Sequence, residues 1–273
     1  MTQASMFSLK GKTVVVTGGA KGIGRGISLA MARCGAQVVV SGRDAQALDA
    51  VAAQLRALDV EALTVQGDIT RADDRQRLIQ ATLERFGVIN GWINNAGSAA
   101  PSDVGPLDTI DEGQWDRVVD LNLKAAFFAA QAAARSMTQG GSIVNISSRS
   151  ASYPNPGTGH YGAAKAALEN LTRTMAAEWG HRGIRVNAVA PGVVMTDELA
   201  KVFNTESRIR RQVETVPLQR LGTPDDIGPL CAYLVSDESS WTSGALIPVN
   251  GGSFVPMGYL GYLHRVNAQG NNT

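Results

Sequence analysis

A doubly wound α/β fold, with a parallel sheet of seven strands and helices on both faces, is what this 273-residue chain predicts. The first observation behind it is alternation. Short β-branched apolar runs recur between longer stretches of helical period, which feeds parallel strands joined by helical crossovers. The second is the glycine-rich turn Thr17-Gly18-Gly19-Ala20-Lys21-Gly22-Ile23-Gly24, set between the first strand and the first helix. The third is length without interruption. No Pro/Gly/Ser-rich linker or charge run divides the chain, so one domain over 1–273 is expected, with 254–273 as a C-terminal extension.

The first strand, 12–17, is Val-rich and runs into the glycine turn, and a helix follows at about 25–33. Glycines there let the backbone approach a pyrophosphate, and the helix amino terminus offers free N–H groups and a positive dipole end. Gly18, Lys21, Gly22, Ile23 and Gly24 are therefore candidate nucleotide contacts. Their Gly-x3-Gly-x-Gly spacing departs from the commoner Gly-x-Gly-x-x-Gly. The second strand is 37–41, and its carboxyl end is where an acid would hold the ribose 2′-hydroxyl of NAD. Gly42 and Arg43 stand there instead. A guanidinium suits the 2′-phosphate of NADP and Lys21 adds a second cation, so NADP is the expected cofactor. NAD is the alternative if Asp44 acts as the acid, although Asp44 more simply caps the next helix.

A helix at 45–58, a strand at 62–66, a helix at 72–86 and a strand at 91–94 continue the alternation. One long alanine-rich helix is expected at 111–137. Ser142 to Ile146 is short, β-branched and apolar, a buried strand whose carboxyl end carries Ser147 and Ser148. A loop with Pro154, Pro156 and Gly157 follows, and a helix starts near Tyr161. The remaining elements are a strand at 183–188, a charged helical stretch at 197–216, a helix capped at Thr223-Pro224 and a last strand at 245–249.

Tyr161 and Lys165, four residues apart, share one helical face. A free phenol has a pKa of about 10, and a nearby cation lowers it, so the pair could move protons near neutrality. Alone, Tyr-x3-Lys also describes an ordinary surface pair. With Ser148 thirteen residues before Tyr161, and Asn122 in Asp-Leu-Asn-Leu-Lys upstream, it resembles the tetrad of the short-chain dehydrogenase/reductases. The resemblance runs from about 8 to 253.

That resemblance implies a Rossmann fold and an NADP(H)-dependent oxidoreductase interconverting a secondary alcohol and a ketone. It implies that Ser148 holds the substrate oxygen, Tyr161 exchanges its proton, Lys165 lowers the Tyr161 pKa and holds the nicotinamide ribose, and Asn122 supports a water relay. Ser147 is the neighbouring alternative, and the thirteen-residue spacing favours Ser148. By the same resemblance Asp68 and Ile69 meet the adenine. Asn95, Ala96 and Gly97 in Asn-Asn-Ala-Gly border the cofactor, and Pro191, Gly192, Val194 and Thr196 belong to the loop over the nicotinamide. The stretch 197–216 would be a substrate lid presenting Leu199, Val202 and Phe203. The alanine-rich helices imply a homotetramer, or a homodimer. A 3-oxoacyl carrier-protein reductase shares every motif, with Arg208, Arg210 and Arg211 as cations for an acidic carrier. A catalytically silent NADP-binding sensor is the reading from another class, and it would have no use for the four intact residues.

Net charge is +1 with 44% hydrophobic residues, which gives no reason to expect a nucleic-acid partner. No run approaches about 18 apolar residues and the amino terminus lacks a signal sequence, so no membrane span and a cytoplasmic location are expected. Cys34 and Cys231 have no metal spacing, and no metal is expected. His160 reads as a solvated loop histidine. In 254–273 the apolar set from Phe254 to Leu263 is expected to pack on a neighbouring subunit.

Overall fold

The computed structural model describes residues 7–203 and 205–253, so the expectation for Phe254 to Thr273 lies outside the described residues. Within them the sheet is parallel throughout and has the order β3-β2-β1-β4-β5-β6-β7. Its strands are β1 (Thr13–Thr17), β2 (Gln37–Gly42), β3 (Ala62–Gln66), β4 (Gly91–Asn94), β5 (Gly141–Ile146), β6 (Ile184–Pro191) and β7 (Leu246–Val249). The winding reverses between β1 and β4. Crossovers on either side of that point leave a crevice outside the carboxyl ends of the strands.

Alternate residues of the strands build two cores. Val14, Val16, Val38 and Val40 point to one face. There they meet Ile27 and Met31 of α1 (Gly22–Arg33), Leu48 and Leu55 of α2 (Ala45–Arg56), and Ile227 and Cys231 of α9 (Pro224–Val235). Val15, Val39, Trp92 and Ile143 point to the other face. They meet Leu78 and Ile79 of α3 (Ala72–Phe86), the alanines of α5 (Ala125–Ser136) and Met175 of α6 (Gly159–Trp179). Burying a valine of this kind stabilises by about 1.5–3 kcal/mol, so the VVV runs of β1 and β2 weld the sheet to both helical layers. Burial also raises the Cys231 thiol to about 12, which leaves it an inert packing group.

Two expected helices are divided. The stretch 111–137 is α4 (Glu112–Val119), a wide turn at Asp120–Lys124, and α5. In the wide turn the Ala125 N–H donates to the Asp120 carbonyl five residues back. The stretch 197–216 is α7 (Asp197–Val202) and α8 (Glu206–Val213), because Thr205 accepts from the Arg208 N–H and starts a second helix. At α9 the expected cap is present. Thr223 and Asp226 form a reciprocal capping box, and Arg220 holds the Asp226 carboxyl far below the usual carboxylate range. None of the described helices is long and apolar enough to cross a membrane.

Candidate active site

The crevice is a cleft of about 570 Å³ that runs from the exits of β2 and β3 at Arg43 and Asp68, past the glycine turn, to Tyr161. Its floor is the glycine turn. Gly18 has φ +61°, a left-handed conformation that favours glycine. A Cβ on Gly24 would collide with the Gly18 carbonyl and the Asn95 amide. The Asn95 Nδ2 donates to the carbonyls of Thr17 and Gly18, both at 3.0 Å, so this side chain braces the turn from behind. Lys21, the residue before α1, makes no side-chain cap, so it leaves the first N–H groups of α1 unbonded by its side chain, and Gly22, Ile23 and Gly24 of that first turn line the cleft. Such a backbone cradle at a helix amino terminus fits the diphosphate of a dinucleotide.

At one end of the cleft β2 finishes on Gly42, followed by Arg43 with its side chain 78% exposed. Its guanidinium lies 4.0 Å from the Asp68 carboxylate. Asp44 caps α2 by accepting from the Ala47 N–H, and its other oxygen pairs with Lys21 at 2.5 Å. Hydrogen bonding and charge shift this pair in opposite senses: Lys21 upwards and Asp44 downwards. The acid that could serve NAD is thus engaged twice over. Asp68 and Ile69 line the same end. Asp68 Oδ1 accepts from the Thr70 N–H and hydroxyl, which shapes the turn out of β3.

At the opposite end α6 and the exit of β5 bring Ser148, Tyr161 and Lys165 together. α6 starts at Gly159, two residues earlier than expected from the sequence. Lys165 is 3% exposed. Its Nζ donates to the Ile146 carbonyl at 2.9 Å and stands 5.7 Å from the centre of the Tyr161 ring. Burial brings the Lys165 pKa down to about 8. Burial also pushes the Tyr161 phenol up, and a hydrogen bond with Ser148 opposes that rise. The expected lowering of Tyr161 by Lys165 is therefore corrected. The ammonium is bonded to a backbone carbonyl, and desolvation outweighs its attraction for a phenolate. At neutral pH the site holds a protonated phenol beside a largely charged lysine.

The two serines part company. The Ser147 hydroxyl donates to Glu169 Oε1 at 2.7 Å. Ser148 stands beside the Tyr161 phenol and opposes the rise in its pKa, and its Oγ accepts from the Ser150 N–H at 3.1 Å. Asn122 sits in the wide turn, fully buried, behind Gly97. Its Nδ2 donates to the Ser98 and Val118 carbonyls, at 2.8 and 2.9 Å. An unbroken α-helix would give the Val118 carbonyl the Asn122 backbone N–H; here the side chain also reaches it. Asn122 Oδ1 is buried without a partner among the described residues. A Cβ on Gly97 would fall 2.6 Å from that oxygen and 2.9 Å from Lys165 Nζ, so the two polar groups crowd one side of Gly97.

Of the other expected residues, Gly22, Ile23, Ala96, Pro191, Gly192 and Thr196 line the cleft. Val194 does not. It is buried in the core, bridged through its backbone to Gly222, because the loop after β6 turns it inwards. Val202 is 54% exposed and Leu199 and Phe203 do not line the cleft. His160 is fully buried and stacks on Trp115 at 6.4 Å, contrary to a solvated loop position, because α6 begins before it. Glu198, on the first turn of α7, and Ser98 line the cleft without any spacing in the sequence that would mark them.

Relatives of known sequence and structure match this geometry over most of the chain. Residues 18–253 match the family described as enoyl-(acyl carrier protein) reductase. A Bacillus subtilis protein named as a probable 2,4-dienoyl-CoA reductase is 35% identical over 249 residues, 89% of this chain and 97% of that protein. A 3-oxoacyl-(acyl-carrier-protein) reductase of Staphylococcus epidermidis is 34% identical over 247 residues, 89% of this chain and 99% of the relative. The crystal structure of a short-chain type dehydrogenase/reductase from Mycobacterium marinum superposes with a TM-score of 0.86 at 33% identity, covering 92% of this chain and 98% of that one.

Proposed function

Because the chain belongs to the short-chain dehydrogenase/reductase family of oxidoreductases, we propose that it is an NADP(H)-dependent enzyme interconverting a secondary alcohol and a ketone. The observation that carries this reading is that one cleft is lined both by the glycine turn and by Ser148, Tyr161 and Lys165. A nicotinamide dinucleotide bound along it supplies the hydride. Ser148 donates to the oxygen that gains negative charge, and Tyr161, which holds its proton at neutral pH, gives that proton up during ketone reduction. Lys165 keeps most of its charge below about 8 and stabilises the tyrosine as its proton leaves. The unpartnered Asn122 Oδ1 beside Lys165 Nζ supports the relay role of Asn122. Arg43 and Lys21 at the adenine end support NADP over NAD. The exposed Trp115 and Phe128 on α4 and α5 support a homotetrameric or homodimeric assembly.

The test is turnover of NADPH and NADH with cyclic ketones, sugars, steroids and β-ketoacyl thioesters, in wild type and in Tyr161→Phe. Activity that disappears in the variant, with nucleotide affinity kept, is expected. Substantial activity in Tyr161→Phe would overturn the assignment. Reduction of β-ketoacyl groups on a carrier protein is the second reading, supported by the exposed arginines of α8 and by the Staphylococcus relative. It requires that carrier-bound substrates be strongly preferred over the free thioester.

A further inference from the structure

Tyr161, Lys165 and Glu169 stand at intervals of four on one face of α6, and each meets a different residue at the exit of β5. Tyr161 faces Ser148, Lys165 donates to the Ile146 carbonyl, and Glu169 accepts from the Ser147 hydroxyl. The first two contacts belong to the site already described. The third has no place in it. A lysine and a glutamate four apart on a helix ordinarily attract each other. Among the described residues no ion pair joins Lys165 to Glu169, although Glu169 is only 8% exposed. A carboxylate is costly to bury, and this one is held by a serine that is itself 3% exposed.

The contact has two geometric consequences. It engages the hydroxyl donor of Ser147 at 2.7 Å, so that of the two adjacent serines only Ser148 can donate towards the cleft. It also ties the β5 exit to α6 one helical turn beyond Lys165. The Ser147 N–H meanwhile donates to the Val189 carbonyl of β6 at 2.7 Å, which fixes the same residue from the other side. Ser148 therefore projects from a residue clamped on both flanks. We propose that Glu169 is a positioning residue for the reaction: by holding the Ser147 hydroxyl it sets the alignment of Ser148 with Tyr161. This rests on the alcohol–ketone reading of the site.

The experiment compares Glu169→Ala, Glu169→Gln, Ser147→Ala and the double variant Glu169→Ala/Ser147→Ala. Ketone kcat and KM, the NADPH dissociation constant and the phenolate midpoint of Tyr161 are measured, the last from the ultraviolet difference against each variant's Tyr161→Phe counterpart. Glu169→Ala and Ser147→Ala should each lower kcat by about tenfold, and the double variant should fall no further, the signature of two groups acting through one contact. Glu169→Gln should stay within about threefold of wild type, because its amide oxygen still accepts the hydrogen bond. NADPH affinity should not change. The Tyr161 midpoint should rise by about half a unit in Glu169→Ala, as alignment with Ser148 is lost, and stay put in Glu169→Gln.

Multiplied losses in the double variant, an equal loss in Glu169→Gln, or a parallel loss of NADPH affinity would overturn the proposal. If Glu169→Ala does not fold, Ser147→Ala decides alone: a fall in kcat at constant NADPH affinity supports the proposal and no fall overturns it. Wild type without turnover on any ketone would remove the alcohol–ketone reading. The phenolate midpoints would still decide the positioning role.

Discussion

Arg43→Ala separates the two nicotinamide dinucleotides more cleanly than any other single change. The Arg43 side chain is 78% exposed, and its nearest acid, Asp68, is 4.0 Å away. Its backbone carbonyl, which accepts from Gln66 Nε2 at 3.0 Å, is unaffected by the substitution. Stability should therefore stay within about 0.5 kcal/mol of wild type. A charge-assisted contact to a 2′-phosphate is worth roughly 1.5–3 kcal/mol, and solvent screening at so open a position favours the lower end. About 1.5 kcal/mol corresponds to a roughly 13-fold weaker NADPH dissociation constant, with NADH unchanged. Raising the salt to about 0.5 M should narrow the wild-type difference between the two nucleotides, since the guanidinium is screened. Titration calorimetry with both nucleotides at two ionic strengths measures all four constants. Equal weakening of NADPH and NADH would refute the reasoning. A wild type that prefers NADH would transfer the choice to Asp44, now engaged with Lys21 and the cap of α2.

Ser148→Ala should lower kcat on the order of 100-fold, the scale of one lost oxyanion donor, at constant NADPH affinity in steady-state and binding assays. A smaller loss than in Ser147→Ala would transfer the donor role to Ser147. The pH profile follows from two buried groups: Tyr161 lies above its ordinary value and Lys165 lies at about 8. Ketone reduction needs the protonated phenol and the charged lysine, so its kcat/KM should be level through neutrality and fall above about 8. Alcohol oxidation needs the phenolate and should have its optimum at higher pH; a reduction rate that climbs through pH 8 would contradict both assignments. Gly24→Ala places a methyl group against the Gly18 carbonyl and the Asn95 amide, and should destabilise the fold by about 1–3 kcal/mol and weaken NADPH in the same protein. Thermal unfolding and titration check it, and wild-type affinity would show that the turn relaxes freely.

The sequence made the repeating units legible because they rest on local pattern. The strands at 62–66 and 91–94 and the helix at 72–86 have the bounds expected from periodicity and turn residues alone. The candidate site was legible where a residue type has one outstanding use, as with Tyr161, Lys165 and the glycines. Other features depend on tertiary partners and have no compositional mark. Asn94 and Asn95 are identical neighbours with opposite tasks. Asn94 donates to Asn145 and the Ala126 carbonyl in the core, whereas Asn95 braces the glycine turn. His160 departs from its expected loop position because α6 starts two residues early and carries it from loop to interior. The Lys165 charge was read from spacing, while desolvation, which requires a structure, decides its effect on Tyr161.

The wide turn at Asp120–Lys124 has a further consequence for how this chain tolerates changes in length. Such a turn holds one residue more than an α-helix needs. A deletion of one residue there would leave α4 and α5 free to merge into a regular helix, with no backbone bond sacrificed. The fold would absorb the deletion easily, because the wide turn already takes up the extra residue and the two flanks would keep their relative phase. Asn122 would leave Gly97 and Lys165, while the alanines of α5 kept their packing. The extra residue thus works as a local bulge that sets Asn122 off the regular spiral, and a chain shortened by one residue would be a sound fold with a displaced amide.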